Sequence, residues 1–416
     1  MTKESLWVSV YGDMPYNDGK LRAGFSQLSK IAEEFLAFIG WQKNSGVKMT
    51  YLLNELNKRG LDKHFKSTLK RVQGEFSSGL VDTSLLLAEH LVMAEEVQFQ
   101  YKQLGRSKKI DLLPASKTLD HFYVLTKLKY ACQAINFQTV LNTSFDISFI
   151  DVIEKYVVDN EKLPSIIRVY HGLLQLLRSP ENEELYHYVA GLIEQYKNGF
   201  SKAELWGMIG YLINYCIRRA NQGTPDFLNH LLKWYKEALK EELLLENGTL
   251  SHWNYKNIVS VGLQVEEFDW VRKFLEKYKE ALSMRQRENL YDYNLARYYF
   301  ALGEYSSVLD ILHREEYEDV FYTLDSKMIL AKTYYELEEV EPLGALLDSF
   351  SMFVRRNKEI GDYHKTTYLN FVRFLKRLTH LASGDAKKRH KLREEIEQTP
   401  QVADIKWLLK TLTSGK

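Results

Sequence analysis

The chain has 416 residues, 45% hydrophobic and 27% charged, a composition that excludes an intrinsically disordered polymer. A net charge of +1 excludes any global attraction to nucleic acid or to an anionic membrane surface. No apolar window approaches the ~18 residues that span a bilayer, and residues 1–10 lack a secretory core, so a cytoplasmic protein is expected.

In chain order, residues 11–19 form a turn-rich aromatic string, expected either to dock on a neighbouring helix or to follow an element of a longer domain. Leu21, Phe25, Leu28, Ala32, Phe35, Leu36 and Ile39 recur at three- and four-residue steps, which predicts an amphipathic helix over 21–39. Further helices are expected at 47–58, 62–76 and 81–103. The basic string Gly105-Arg106-Ser107-Lys108-Lys109, closed by Pro114, reads as a boundary. Beyond it helices come in pairs: 117–135 with 147–158, 164–177 with 182–196, 202–219 with 225–245, 253–264 with 268–282, 286–301 with 305–313, and 322–337 with 342–353. Three terminal helices are expected at 361–381, 386–397 and 400–412. Ser179-Pro180-Glu181, Thr224-Pro225-Asp226 and Thr399-Pro400 are read as capping hydroxyls before a proline at the first helical position. No strand-like alternation is long enough for a sheet.

A register recurs in the last third. Val265-Glu266-Glu267-Phe268, Leu302-Gly303-Glu304-Tyr305 and Leu337-Glu338-Glu339-Val340 end 37 and 35 residues apart. Apolar residues follow each at +3 (Val271, Val308, Leu343), at +6 (Phe274, Ile311, Leu346) and at +7 (Leu275, Leu312, Leu347). Self-similarity at such a period means stacked helical hairpins, because one hairpin cannot bury its own apolar face. Leu295-Ala296-Arg297-Tyr298-Tyr299 and Leu330-Ala331-Lys332-Thr333-Tyr334, with Gly303 and Tyr305 at the turn, resemble the tetratricopeptide repeat over residues 253–353. The match departs from that family at Val308 and Leu343, where it often has alanine, at Gly262, which replaces a tyrosine, and in lacking its closing proline. The resemblance implies a right-handed superhelix whose concave face binds peptides or protein segments, without catalysis. The expected fold is all-α: an α-solenoid of stacked antiparallel helix pairs (115–359), after an N-terminal helical domain (1–104) and before C-terminal capping helices (360–416).

Steps of 100° per residue put Tyr291 and Tyr298 on nearly one face of their helix, and Leu295, Tyr299 and Leu302 on another. One stripe should pack on the next hairpin. The other, with Asn294 and Arg297, would line the concave face, joined by Asn254, Asn257, Lys327 and Lys332 from neighbouring units. Packing of both stripes within the repeats is the competing reading.

Chemical motifs are sparse. The eleven histidines include no His-x-x-x-His pair, and the chain has neither a Cys-x-x-Cys pair, a glycine-rich phosphate loop nor a Gly-x-Ser-x-Gly elbow. His171 and His187 are read as half-buried histidines, and Glu89-His90 with Glu95-Glu96 as a solvated helix edge. Cys132 and Cys216 are read as buried free thiols. No secretory leader is expected, so the sequons Asn142-Thr143-Ser144 and Asn247-Gly248-Thr249 are read as chance matches. The acidic strings at 315–319 and 336–341 are expected to keep turns wet. No enzyme, cofactor, metal or small-molecule substrate is expected, and no membrane partner. The expected function is a scaffold or adaptor that binds another protein or a peptide segment. The alternative is a nucleic-acid-associated or regulatory factor using the basic block of Lys387, Lys388, Arg389 and Lys391, which also reads as the solvated face of a capping helix.

Overall fold

The computed structural model describes residues 2–78, 80–103, 110–141, 145–313, 317, 319–381 and 386–414. The boundary string at 105–109, the sequon at 142–144 and the acidic residues Glu315, Glu316 and Glu318 lie outside the described residues. Contacts divide the chain into two compact units, Met1–Tyr215 and Cys216–Lys416. The described residues are all-α, apart from one two-residue hairpin and an isolated bridge between Val81 and Phe200.

The first unit holds α1 (Lys3–Tyr11), α2 (Asp18–Lys43), α3 (Ser45–Lys58), α4 (Asp62–Ser78), α5 (Thr83–Lys102), α6 (Leu113–Leu141), α7 (Ile150–Asp159), α8 (Ser165–Arg178), α9 (Glu183–Tyr196) and most of α10 (Lys202–Asn221). Asn17, Asn44, Asp82 and Asn182 each accept a first-turn N–H, which satisfies donors that the helix itself leaves open. Leu53, Phe65, Val72, Val92 and Phe99 form a buried cluster, with the Phe65 and Phe99 rings stacked at 4.1 Å. The aromatic string at the start docks locally. Trp7 is buried against Tyr11 and Tyr16, and its indole N–H donates to the Met14 carbonyl at 2.7 Å.

The second unit continues with α11 (Phe227–Lys240), β1 (Leu245–Glu246), β2 (Thr249–Leu250), α12 (His252–Gln264), α13 (Phe268–Tyr278), α14 (Arg287–Leu302), α15 (Tyr305–Leu312), α16 (Val320–Glu336), α17 (Val340–Arg356), α18 (Asp362–Thr379), α19 (Ala386–Gln398) and α20 (Ile405–Ser414). From α11 to α18 each helix packs on the next, and α12 also touches α14 as α14 touches α16. Of the nine apolar positions of the repeat register, Val271, Phe274, Leu275, Val308, Leu312, Leu343 and Leu347 are buried, while Ile311 and Leu346 are half-buried.

The three turns of that register share one geometry. Glu266, Gly303 and Glu338 have φ of 60°, 78° and 60°. The following amide donates five residues back in each turn: Glu267 to Gly262 O at 3.0 Å, Glu304 to Tyr299 O at 3.0 Å, and Glu339 to Tyr334 O at 2.9 Å. These are three Schellman caps, which close the first helix and launch the second. Glycine supplies the left-handed conformation at Gly303, whereas the two glutamates adopt it against their Cβ. Gly262 has a different role. A Cβ there would lie 2.4 Å from Val271 Cγ2, so the absent side chain is what lets α12 meet α13.

Four local expectations are corrected. The helix expected over 225–245 stops at Lys240, and Asn247 (φ 52°) and Gly248 (φ 80°) then form the two-residue turn between β1 and β2. That conformation matches a type I′ turn, for which Asn-Gly is the favoured dipeptide. Pro180 and Pro225 occupy β-turns ahead of the helices, closed by Asn182 N–H to Ser179 O and Phe227 N–H to Thr224 O. The last helix starts at Ile405, because Gln401 and Asp404 have positive φ and hold the segment after Pro400 out of helix.

Candidate functional site

The first helices of successive pairs in the second unit meet around one carboxylate. Asp325, in α16, accepts from Lys256 Nζ of α12 at 2.6 Å, from Tyr368 OH of α18 at 2.6 Å and from Tyr293 OH of α14 at 3.3 Å. Lys256 and Asp325 are 19% and 16% exposed, so this pair is sheltered enough for each lost partner to matter. Burial raises the affinity of Tyr293, Tyr322 and Tyr368 for their protons, and the Asp325 charge adds to it. The phenols therefore stay protonated, and those of Tyr293 and Tyr368 act as donors to the carboxylate.

Cations and rings extend the cluster. Lys256 Nζ lies 5.2 Å from the Tyr322 ring and 5.6 Å from Tyr293, while the Arg297 guanidinium lies 5.7 Å from Tyr293 and donates to the Lys256 carbonyl at 3.4 Å. Tyr293 and Tyr322 meet edge to face at 4.8 Å. Beside Tyr322 opens a cavity of about 240 Å³, lined by His252, Arg285, Asn289, Tyr317 and Asp319 among others. This is below the ~300 Å³ at which small-molecule sites usually start, and it suits one side chain or a chain terminus.

A second pair repeats the arrangement. Lys332 of α16 donates to Asp404 at 2.6 Å, with its Nζ 4.5 Å from the Phe300 ring and 5.7 Å from Trp407. The two lysine–aspartate pairs join residues 69 and 72 positions apart, each close to twice the repeat period.

Of the residues selected from sequence, Arg297 joins the Asp325 cluster. Tyr291 and Tyr298 turn toward α13: the Tyr291 hydroxyl donates to Glu276 at 2.7 Å and Lys279 caps its ring at 4.4 Å, while Arg272 lies 6.0 Å from the Tyr298 ring. Asn294 is wholly buried, its Nδ2 donating to Leu290 O at 2.8 Å. Asn257 is exposed and hydrogen-bonds the Tyr235 phenol, whose pKa burial pushes up to about 12. Asn254 is half-buried in the first turn of α12, its backbone N–H held by Ser251 Oγ at 3.2 Å. Lys327 reaches the Phe353 ring of α17 at 5.8 Å, and Lys332 is buried. Sequence reading passed over Asp325, Lys256, Tyr368 and His252. A carboxylate in the interior of α16, whose other acid stands at its last residue, was the signal for Asp325.

The basic block lies on α19. Lys387, Lys388 and Lys391 are exposed, while Arg389 is half-buried and donates to Leu412 O at 3.4 Å. Acidic residues interleave with this surface: Arg393 pairs with Glu397 at 2.9 Å and Arg377 with Glu395 at 2.6 Å.

The first unit contains a buried ionic knot of its own. Glu204 accepts from Lys129 Nζ at 2.5 Å, Tyr170 OH at 2.7 Å and Thr83 Oγ1 at 2.9 Å. Burial works to raise the Glu204 pKa, but the hydrogen bonds from Lys129 and Tyr170 and the Lys129 charge outweigh it and hold the group below its usual value. Cys132 and Cys216 are both buried. Among the described residues no group of three or more His, Cys, Asp or Glu could hold a metal ion, and no helix is long and apolar enough to cross a membrane. Comparison of the chain with protein-family models, with curated proteins and with solved structures finds no match.

Proposed function

We propose that the second unit is a tetratricopeptide-like α-solenoid that binds an acidic peptide segment of another protein along its first-helix wall. The observation that carries this reading is the Asp325 cluster, in which α12, α14, α16 and α18 contribute side chains to one surface. Packed helices lie about 8–10 Å apart, so α12 and α16, with α14 between them, would stand nearly two such steps apart in a flat stack. A direct lysine–aspartate bond across that gap draws the first helices together on one side, which is the curvature of a concave wall. The equal Schellman turns supply the repeated connection within each hairpin.

The recognition chemistry follows from the lining. Lys256 is neutralised by Asp325, leaving Arg297 as a net cation beside tyrosine rings. The neighbouring cavity, whose lining mixes Arg285 and His252 with the Asp319 carboxylate, lies at the N-terminal ends of α12, α14 and α16. Helix N-termini and an arginine favour a carboxylate, and the tyrosines offer area to the chain that carries it. Panels of fluorescent peptides, acidic and basic, test the proposal by anisotropy with the whole chain. Saturable binding of acidic peptides is expected, weakened about tenfold by Arg297→Ala, a loss of about 1.4 kcal/mol. Equal affinity for basic peptides, or no effect of Arg297→Ala, would refute it.

A further inference from the structure

The exposed face of α2 is an extended apolar feature that this reading leaves unused. Phe25, Leu28, Ile31, Phe35, Leu36 and Phe38 are all between 43% and 66% exposed, on a single helix. At 100° per residue they fall, with Ala32 and Ile39, within an arc of about 160° that contains no charged residue between positions 24 and 40. Arg22, Lys30, Glu33 and Glu34 occupy the opposite arc. Such an uncovered apolar face on a folded chain marks an interface.

We propose that α2 pairs antiparallel with α2 of a second copy of this chain. The seam Phe25, Leu28, Ala32, Phe35, Ile39 advances by alternating steps of three and four, the spacing of two helices packed along their length. Antiparallel pairing centred on residue 30 sets Phe25 against Phe35 of the second copy, and Leu28 against its Ala32, so large and small residues interleave. It also opposes the two helix dipoles. The area is sufficient. Six half-exposed large side chains offer about 100 Å² each, hence about 600 Å² per copy and ~1,200 Å² for the pair, the lower bound of a stable interface. The polar arc argues against a bilayer surface as the occupant. Its two glutamates match Arg22 and Lys30, where an interfacial helix would carry a basic excess.

Sedimentation equilibrium of the whole chain at about 10 µM tests the pairing. The expected mass is twice the 48.8 kDa of one chain, falling to a single chain in the double variant Leu28→Glu, Phe35→Glu. Both positions are exposed in the isolated chain, so an unchanged circular dichroism spectrum should accompany the loss. The register is read with cysteine traps, because Cys132 and Cys216 are buried. Ile31→Cys, close to the two-fold axis, should form a cross-linked dimer on oxidation, and Lys30→Cys, on the far side of the helix, should not. A monomeric parent chain, whether or not it pellets with anionic phosphatidylserine vesicles, overturns the proposal. So does a dimer that survives the double substitution, or equal cross-linking by both cysteines.

Discussion

Asp325 holds one ammonium and two phenols, so its removal would strand a sheltered lysine rather than merely delete one bond. Breaking one side of such a pair typically costs 3–5 kcal/mol. Asp325→Ala should therefore lower the stability of the second unit by about 3 kcal/mol, measured as a shift in the denaturant midpoint with an unchanged slope. Glu204 gives the corresponding test in the first unit, through pH. Its folded pKa lies below its usual 4.5, so the stability it contributes is fully present above that value. It is lost as pH falls through the lower folded value. The gap in unfolding free energy between the parent chain and Glu204→Gln should thus be widest near neutrality and should shrink under acid. A gap that grows on acidification would contradict this electrostatic assignment.

At the scale of elements, the turn is the repeated unit. Glu266, Gly303 and Glu338 occupy the same left-handed position, which costs a residue with a Cβ roughly 1–2 kcal/mol. Glu338→Gly should raise the melting temperature modestly, because relief of that strain is partly offset by the greater freedom of glycine in the unfolded chain. Gly303→Val should lower it, since a β-branched residue tolerates positive φ poorly. A Cβ at this position would meet nothing within 4 Å, so its backbone angle and not its size is what the turn requires. Close approach is the business of Gly262, which the sequence comparison recorded only as a missing tyrosine.

For the whole molecule, the two proposals concern different units and are separable. Arg297 lies in Cys216–Lys416 and α2 in Met1–Tyr215. The monomerising variant Leu28→Glu, Phe35→Glu should keep its affinity for acidic peptides within about twofold of the parent chain. A collapse of peptide binding on monomerisation would show that the wall needs the second copy. The sequence by itself determined most of the helices and the burial of most apolar positions in the last third, because 3.6-residue periodicity and turn chemistry act over a few residues, whereas Phe25, Leu28, Phe35 and Leu36, equally periodic, are exposed. The Asn-Gly turn was equally local and was legible, had the dipeptide been weighed as a hairpin signal instead of a sequon. Which polar residues converge was decided only in three dimensions. Lys256 and Asp325 lie 69 residues apart, and their bond depends on how α12, α14 and α16 pack on one another, which no local pattern encodes. The same holds for the contrast between Tyr293, which faces the cluster, and Tyr291, which faces α13: two residues on one helix, assigned opposite surroundings by their neighbours.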